Sequence, residues 1–267
     1  MTLFRLECKT HIKSLMIWIV VVAVLTLGLM SMFPSMKDSM STFDMSTMPK
    51  DMLKAFNLSD MAALATVGGY FGYVFQYIMI ASAIFAAMLG LNSLAREESE
   101  GTIEYLYAQP ISRSSIAASK MLANILLYTL YWLVTAAVSF LVCLLFKDSG
   151  TSASELFKDF SLFALAGWVM GLTFFSIGFL LSSMLSSSKS AMSLSLGLVF
   201  LTFILGIVGK LQDDFQFLIY FSPIEAATPS RVFQDGIEGK YMLTDIIVLI
   251  ICCLATFWIY RRKDLKV

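Results

Sequence analysis

The chain has 267 residues, 58% of them apolar and 14% charged, with 19 basic and 19 acidic residues and so no formal net charge. A water-soluble fold has too little interior to hide this much apolar surface, so the bilayer has to act as solvent. The balanced charge offers none of the basic excess that nucleic-acid binding uses. The four cysteines (Cys8, Cys143, Cys252 and Cys253) have no framework or zinc spacing and read as small packing residues.

A hydrocarbon layer of about 30 Å takes about 20 helical residues. Stretches free of Asp, Glu, Lys and Arg, at 14–36, 61–95, 121–146, 160–188, 190–209 and 246–260, predict six transmembrane helices at approximately 15–33, 67–94, 121–146, 161–185, 190–210 and 243–260. Together they make an all-α polytopic membrane protein with a single domain over 1–267. The first apolar run has no small-residue cleavage site, which predicts a retained helix rather than a signal peptide. The last span is the shortest; Asp245 lies near its start and Arg261-Arg262-Lys263 closes it. Loops 34–66, 147–160 and 211–242 then share the outer side. Eleven of the 19 basic residues fall on the other side, in the shorter loops, which places both termini in the cytoplasm. Ahead of the first span, apolar Leu3, Phe4 and Leu6 alternate with Arg5, Lys9 and Lys13, predicting an N-terminal interfacial helix.

Met30, Met32, Met36, Met40, Met45, Met48, Met52 and Met61 cluster around the first outer loop. Thioethers bind Cu(I), but the spacings Met36-Met40-Phe43 and Met45-Met48-Met52-Phe56 favour an amphipathic outer helical hairpin. The second span carries a stripe of small and polar residues: Gly69, Tyr73, Gln76, Ala83, Ala87, Gly90 and Asn92. Small residues let backbones approach and polar ones bond across helices. The stripe therefore reads either as packing within one chain or as a pathway wall at a dimer interface. In the fifth span Ser193, Ser195, Gly197 and Thr202 offer a facing wall, and Gly167 and Gly171 form a packing notch in the fourth.

Between the second and third spans lies the most informative stretch, the inside loop 95–120. It includes Arg96-Glu97-Glu98-Ser99-Glu100-Gly101-Thr102-Ile103-Glu104-Tyr105-Leu106-Tyr107-Ala108-Gln109-Pro110-Ile111-Ser112-Arg113. Thr102 is placed to cap a short helix whose apolar face is Ile103, Leu106 and Tyr107, with Glu104 in its first turn and Pro110 as its stop. Such a rod suits a groove on a partner; the other reading is a surface helix in the headgroups with its acids solvated.

Near the end, residues 215–220 are apolar but too short to cross. With Phe221, Ser222, Pro223 and Glu225 they predict a re-entrant outer gate. Gly206-Ile207-Val208-Gly209-Lys210-Leu211 only approaches a phosphate loop, lacking its spacing and its hydroxyl after the lysine. The sole histidine, His11, sits beside lysines and reads as solvated. The first five spans have no ionisable residue at their centres, which argues against an ion-coupled pump. No catalytic motif is present, so any drive has to come from another subunit.

The run from Arg96 to Lys120 resembles the signature of ATP-binding-cassette exporter permeases, the ABC type 2 permease family. The matching residues are Glu97, Glu98, Gly101-Thr102, Glu104, Leu106, Pro110, Ser112-Arg113 and Lys120. The six-span layout, the N-terminal interfacial helix and Tyr220-Phe221-Ser222-Pro223 extend the resemblance over nearly the whole chain. It implies that Glu97, Glu98, Gly101, Thr102, Ile103, Glu104, Leu106, Tyr107, Pro110 and Arg113 form a coupling helix that inserts into a separate ATPase. It also implies no cofactor in this chain, ATP and Mg²⁺ being bound by the ATPase. The implied working unit is two permease chains, identical or sister, with two ATPase subunits in a bacterial plasma membrane. The expected cargo is hydrophobic or amphipathic: a drug, an antimicrobial peptide or a lipid. The alternatives are a non-transporting membrane sensor or scaffold, and sodium or metal-ion export by the same architecture.

Overall fold

A computed structural model describes residues 2–40, 66–107, 109–147, 153–228, 232 and 238–263. Among the described residues the chain is helical throughout, without strands. In order come α1 (Thr2–Ser31), α2 (Phe33–Met40), α3 (Val67–Ser99), α4 (Ile103–Tyr107), α5 (Arg113–Leu145), α6 (Ala153–Met184) and α7 (Ala191–Leu211). A 3-10 helix (Asp213–Phe221), α8 (Pro223–Ala226) and α9 (Gly239–Arg262) follow. Six segments are long and apolar enough to cross a membrane: Leu3–Lys37, Val67–Ser99, Arg113–Leu145, Phe160–Met184, Ala191–Leu211 and Gly239–Arg262. These are the six sequence-predicted spans; the first, second, third and last are longer, and the fourth and fifth match to within a residue at each end.

Three expectations change. Residues 2–14 are not a separate interfacial helix but the first turns of α1, which runs unbroken for 30 residues. No Gly or Pro interrupts it before Gly28, and Glu7, His11, Leu15, Val22, Thr26 and Met30 form one continuous buried face. The loop predicted over 147–160 is shorter, because α6 starts at Ala153. Loop 211–242 is partly structured by the 3-10 helix and α8. The predicted methionine hairpin around Met45, Met48, Met52 and Met61 lies outside the described residues.

Helix ends are set by local chemistry. Thr66 accepts a hydrogen bond from the Gly69 N–H (3.1 Å) to cap α3, and Ser112 accepts one from the Ser115 N–H (3.2 Å) to cap α5. The other end of α3 closes on Gly101, at φ +69°. There the Gly101 N–H donates to the Glu98 carbonyl (3.3 Å) and the Thr102 N–H to the Glu97 carbonyl (2.9 Å). This is the Schellman pattern, in which a residue at positive φ satisfies the last carbonyls.

The core sits where α3 packs against α6, with α5 and α1 alongside. Gly90 and Gly178 let α3 and α6 cross backbone to backbone. A Cβ at Gly90 would lie 2.7 Å from the Phe179 nitrogen, and one at Gly178 3.1 Å from the Leu91 nitrogen. Gly167 and Gly171 are the packing notch their spacing predicts: they seat the Trp132 and Tyr128 rings of α5. The Trp132 indole N–H donates to the Ala164 carbonyl (2.7 Å), and Ser82 and Tyr131 share a hydroxyl contact at 2.9 Å. Each buried ring thus delivers its polar edge to a partner. The outward faces are apolar: Val20 and Val24 on α1, Leu201 and Ile204 on α7, Ile251 and Leu254 on α9 are all exposed. Such faces fit a lipid solvent, where backbone polar groups are already satisfied inside each helix.

Candidate functional site

The start of α1, the end of α9 and the loop carrying α4 gather at one end of the bundle. The loop was expected to present its acids to a partner; Glu97 and Glu98 are turned inward, while Glu100 and Glu104 are exposed. Glu97 is ion-paired with Lys120, which is 1% exposed and also donates to the Ser93 carbonyl (2.5 Å). Glu98 lies 2.7 Å from the Lys263 ammonium, which donates in turn to the Leu185 carbonyl (2.7 Å). The Arg113 guanidinium donates to the Lys263 carbonyl (2.6 Å) rather than standing free for a partner. Glu100 pairs with Arg96 at 3.1 Å. Burying one charge of a pair alone is expensive, so each acid near the bundle takes the nearest cation.

The short helix is also turned round relative to expectation. Ile103 is buried at 5% exposure and Leu106 packs half-buried against the core, so the apolar face anchors α4 to its own chain. What faces outward is Gly101, Thr102, Glu104, Pro110 and Tyr105, the last 78% exposed. The Thr102 carbonyl accepts the Leu106 N–H (3.4 Å), starting the helix where the sequence places it. The Tyr107 side chain lies outside the described residues.

Sequence reading missed the cluster behind the loop. Glu7 of α1 accepts a hydrogen bond from Asn124 Nδ2 of α5 (3.0 Å), faces Lys120 at 3.7 Å and has His11 Nε2 3.5 Å away. His11 is buried, not solvated. The signal was present as two i,i+4 polar pairs, Glu7/His11 and Lys120/Asn124, each one turn apart on a helix face.

The α3 stripe divides in two. Gln76, Ala83, Ala87 and Gly90 are buried within the chain, which corrects the reading of them as a pathway wall; Gly90 meets α6 as above. Asn92 is half-buried and donates to its own helix at the Met88 carbonyl (3.0 Å). The outer part of the stripe stays open: Gly69 and Tyr73 are half-buried and Tyr77 is 40% exposed. The Tyr73 and Tyr77 hydroxyls meet at 2.8 Å and their rings stand edge to face. On α7, Ser193 and Gly197 are exposed, with open space where a Gly197 Cβ would point. Ser195 and Thr202 face the core and bond carbonyls of their own helix.

The opposite end carries a shallow hairpin. Gly209 seats Ile219, and Gly206 seats Ser222 and Glu225; a Cβ at Gly206 would lie 2.8 Å from Ser222 Oγ. The chain therefore turns after α7 and runs back along it for about one helical turn, ~5 Å. The near-phosphate-loop glycines are the seat of this hairpin, and Lys210 makes a buried 2.6 Å ion pair with Glu225. Ser222, Pro223 and Glu225 are buried, while Phe221 is 62% exposed. The four residues of α8 pack against α6, α7 and α9. Among the described residues no group of three His, Cys, Asp or Glu side chains is placed to hold a metal.

A family description, ABC-2 family transporter protein, matches residues 1–265. No curated protein matches the sequence. With nearly its whole length covered, and with six apolar helices in an all-helical fold, this membrane permease belongs to the ABC-2 family of transporter proteins.

Proposed function

We propose that the chain is the membrane subunit of an ATP-binding-cassette exporter in a bacterial plasma membrane, driven by ATP that two separate ATPase subunits bind with Mg²⁺ and hydrolyse. Two permease chains, identical or sister, form the working pair. The end that carries the first turns of α1, the last turn of α9 and α4 is cytoplasmic; the hairpin end is external. One observation carries this reading: α4 is a short rod fixed to the bundle by Ile103 and Leu106 and by ion pairs at Glu97 and Glu98, while it offers Glu104 and a 78% exposed Tyr105 outward. A rod held rigidly from behind and bare in front transmits a push, with Tyr105 as the aromatic anchor for a partner's groove.

The cargo is a hydrophobic or amphipathic compound. The open stripe of α3 supports this: Tyr73 and Tyr77 give an apolar surface with one hydroxyl pair, and Ser193 and Gly197 give a small polar counterpart on α7. Ion conduction uses rings of carbonyls or charges, and this surface supplies neither. Phe221, Ser222, Pro223 and Glu225 form the outer gate.

Reconstitution tests the reading. Vesicles holding the chain and its ATPase are expected to move a lipophilic fluorescent dye when supplied with ATP. Dye movement by the chain without its ATPase, or none by the complete complex with dyes, amphipathic peptides and labelled lipids alike, would contradict it.

A further inference from the structure

The polar cluster behind the loop joins three helices through one ammonium and two carboxylates. Lys120 and Asn124 come from α5, Ser93 and Glu97 from α3, and Glu7 and His11 from α1. Lys120 is bonded to the Ser93 carbonyl (2.5 Å) and to Glu97, and stands 3.7 Å from Glu7 Oε2. Asn124 Nδ2 reaches Glu7 Oε1 (3.0 Å) and Ser93 Oγ (3.3 Å). Glu97 has a second tie: its backbone carbonyl receives the Thr102 N–H (2.9 Å), one residue before α4. A displacement of α4 therefore reaches the Glu97 backbone directly, then Lys120 through the side chain, then Glu7 and the first turns of α1. Apolar side chains of like volume would bind three helices together about as well. The ionic cluster adds a directed link between particular atoms of particular helices.

We propose that Lys120 is a positioning residue that yokes α1 to the short helix α4, through Glu97 on one side and Glu7 on the other, so that α1 travels with α4 when a partner moves it. This rests on the reading of α4 as the partner-driven element. Without the Glu7 charge, α4 moves and α1 stays behind.

The test uses the full chain in complex with its ATPase, its four native cysteines replaced by serine and spin labels placed at Leu6→Cys and Gln109→Cys, both exposed. Electron–electron resonance gives the distance between the two labels with and without ATP and vanadate. Otherwise wild-type complex is expected to give one distribution that stays in place on nucleotide trapping. In Glu7→Gln, which keeps the side-chain shape and leaves Lys120 paired with Glu97, the distribution is expected to shift or split on trapping while the ATPase still co-purifies. The combined Glu7→Gln, Glu97→Gln, Lys120→Met variant buries no unpaired charge, so it guards against misfolding and is expected to give the same split. A purely structural role would lower yield and melting temperature without changing the response to nucleotide. If both variants respond to nucleotide as the wild type does, the yoke is wrong. If the wild-type chain captures no ATPase, it is the partner-driven reading of α4 that falls instead.

Discussion

Lys210 and Glu225 show how a single pair fixes a local structure. Their side chains are 8% and 1% exposed and meet at 2.6 Å, with Gly206 leaving the space that Glu225 fills. Removing one partner leaves the other charge buried, which costs on the order of 3–5 kcal/mol. Glu225→Gln is therefore expected to lower the melting temperature in detergent clearly, and Lys210→Met with Glu225→Gln to recover much of the loss. Equal melting temperatures for the single and double variants would show that the pair does not clamp the hairpin. Gly90 is a stricter case. A side chain there meets the α6 backbone rather than a flexible neighbour, so Gly90→Leu is expected to prevent folding, seen as loss of monodisperse protein. At this scale the sequence was only partly legible. Small residues on α3 are visible from their spacing, but whether Gly90 meets its own α6 or a second chain depends on a crossing that no local pattern encodes.

The short helix makes the same point at the level of an element. Its place was legible, because Gly101 and Pro110 bracket the five-residue helix Ile103–Tyr107 with its one apolar face. Its orientation was not. Ile103 and Leu106 looked like anchors for a partner, yet a helix this short cannot hold itself in water and takes its stability from its own bundle. Glu97 and Glu98 likewise looked presented, and are instead paired with Lys120 and Lys263, the latter 165 positions further along the chain from Glu98. Two substitutions separate the two faces. Ile103→Asp places a charge in a site 5% exposed and is expected to destabilise the chain itself. Tyr105→Ala removes a ring 78% exposed and is expected to leave the melting temperature unchanged. Gly101→Ala forces an L side chain to φ +69° and is expected to cost about 1–2 kcal/mol. Thermal unfolding of the three variants in one detergent checks the order.

For the whole molecule, the spans were the most legible feature, because charge-free runs of the required length, which five of the six have, find no stable alternative to the bilayer. The ends were less so. Helices α1, α3 and α5 have 30, 33 and 33 residues, which is about 45–50 Å of helix against a hydrocarbon layer of about 30 Å. Each therefore carries turns beyond the bilayer, and there the charged cluster forms. Periodicity in apolar residues does not report that extension, since the added turns are polar. The topology that follows has a direct readout: in a chain cleared of its native cysteines, Gln109→Cys is expected to resist a membrane-impermeant maleimide in intact cells and Phe221→Cys to react. The reverse pattern would invert the proposed orientation.

The most direct test of the central claim, that this permease is moved from the cytoplasm by a separate ATPase gripping α4, is capture of that ATPase by the affinity-tagged chain. Wild-type chain is expected to bring down an ATPase in equal copy number. Tyr105→Ala combined with Glu104→Lys is expected to lose about tenfold or more of it, at unchanged melting temperature; ~1.4 kcal/mol of binding energy suffices for a tenfold loss. Undiminished capture by that variant would contradict the account.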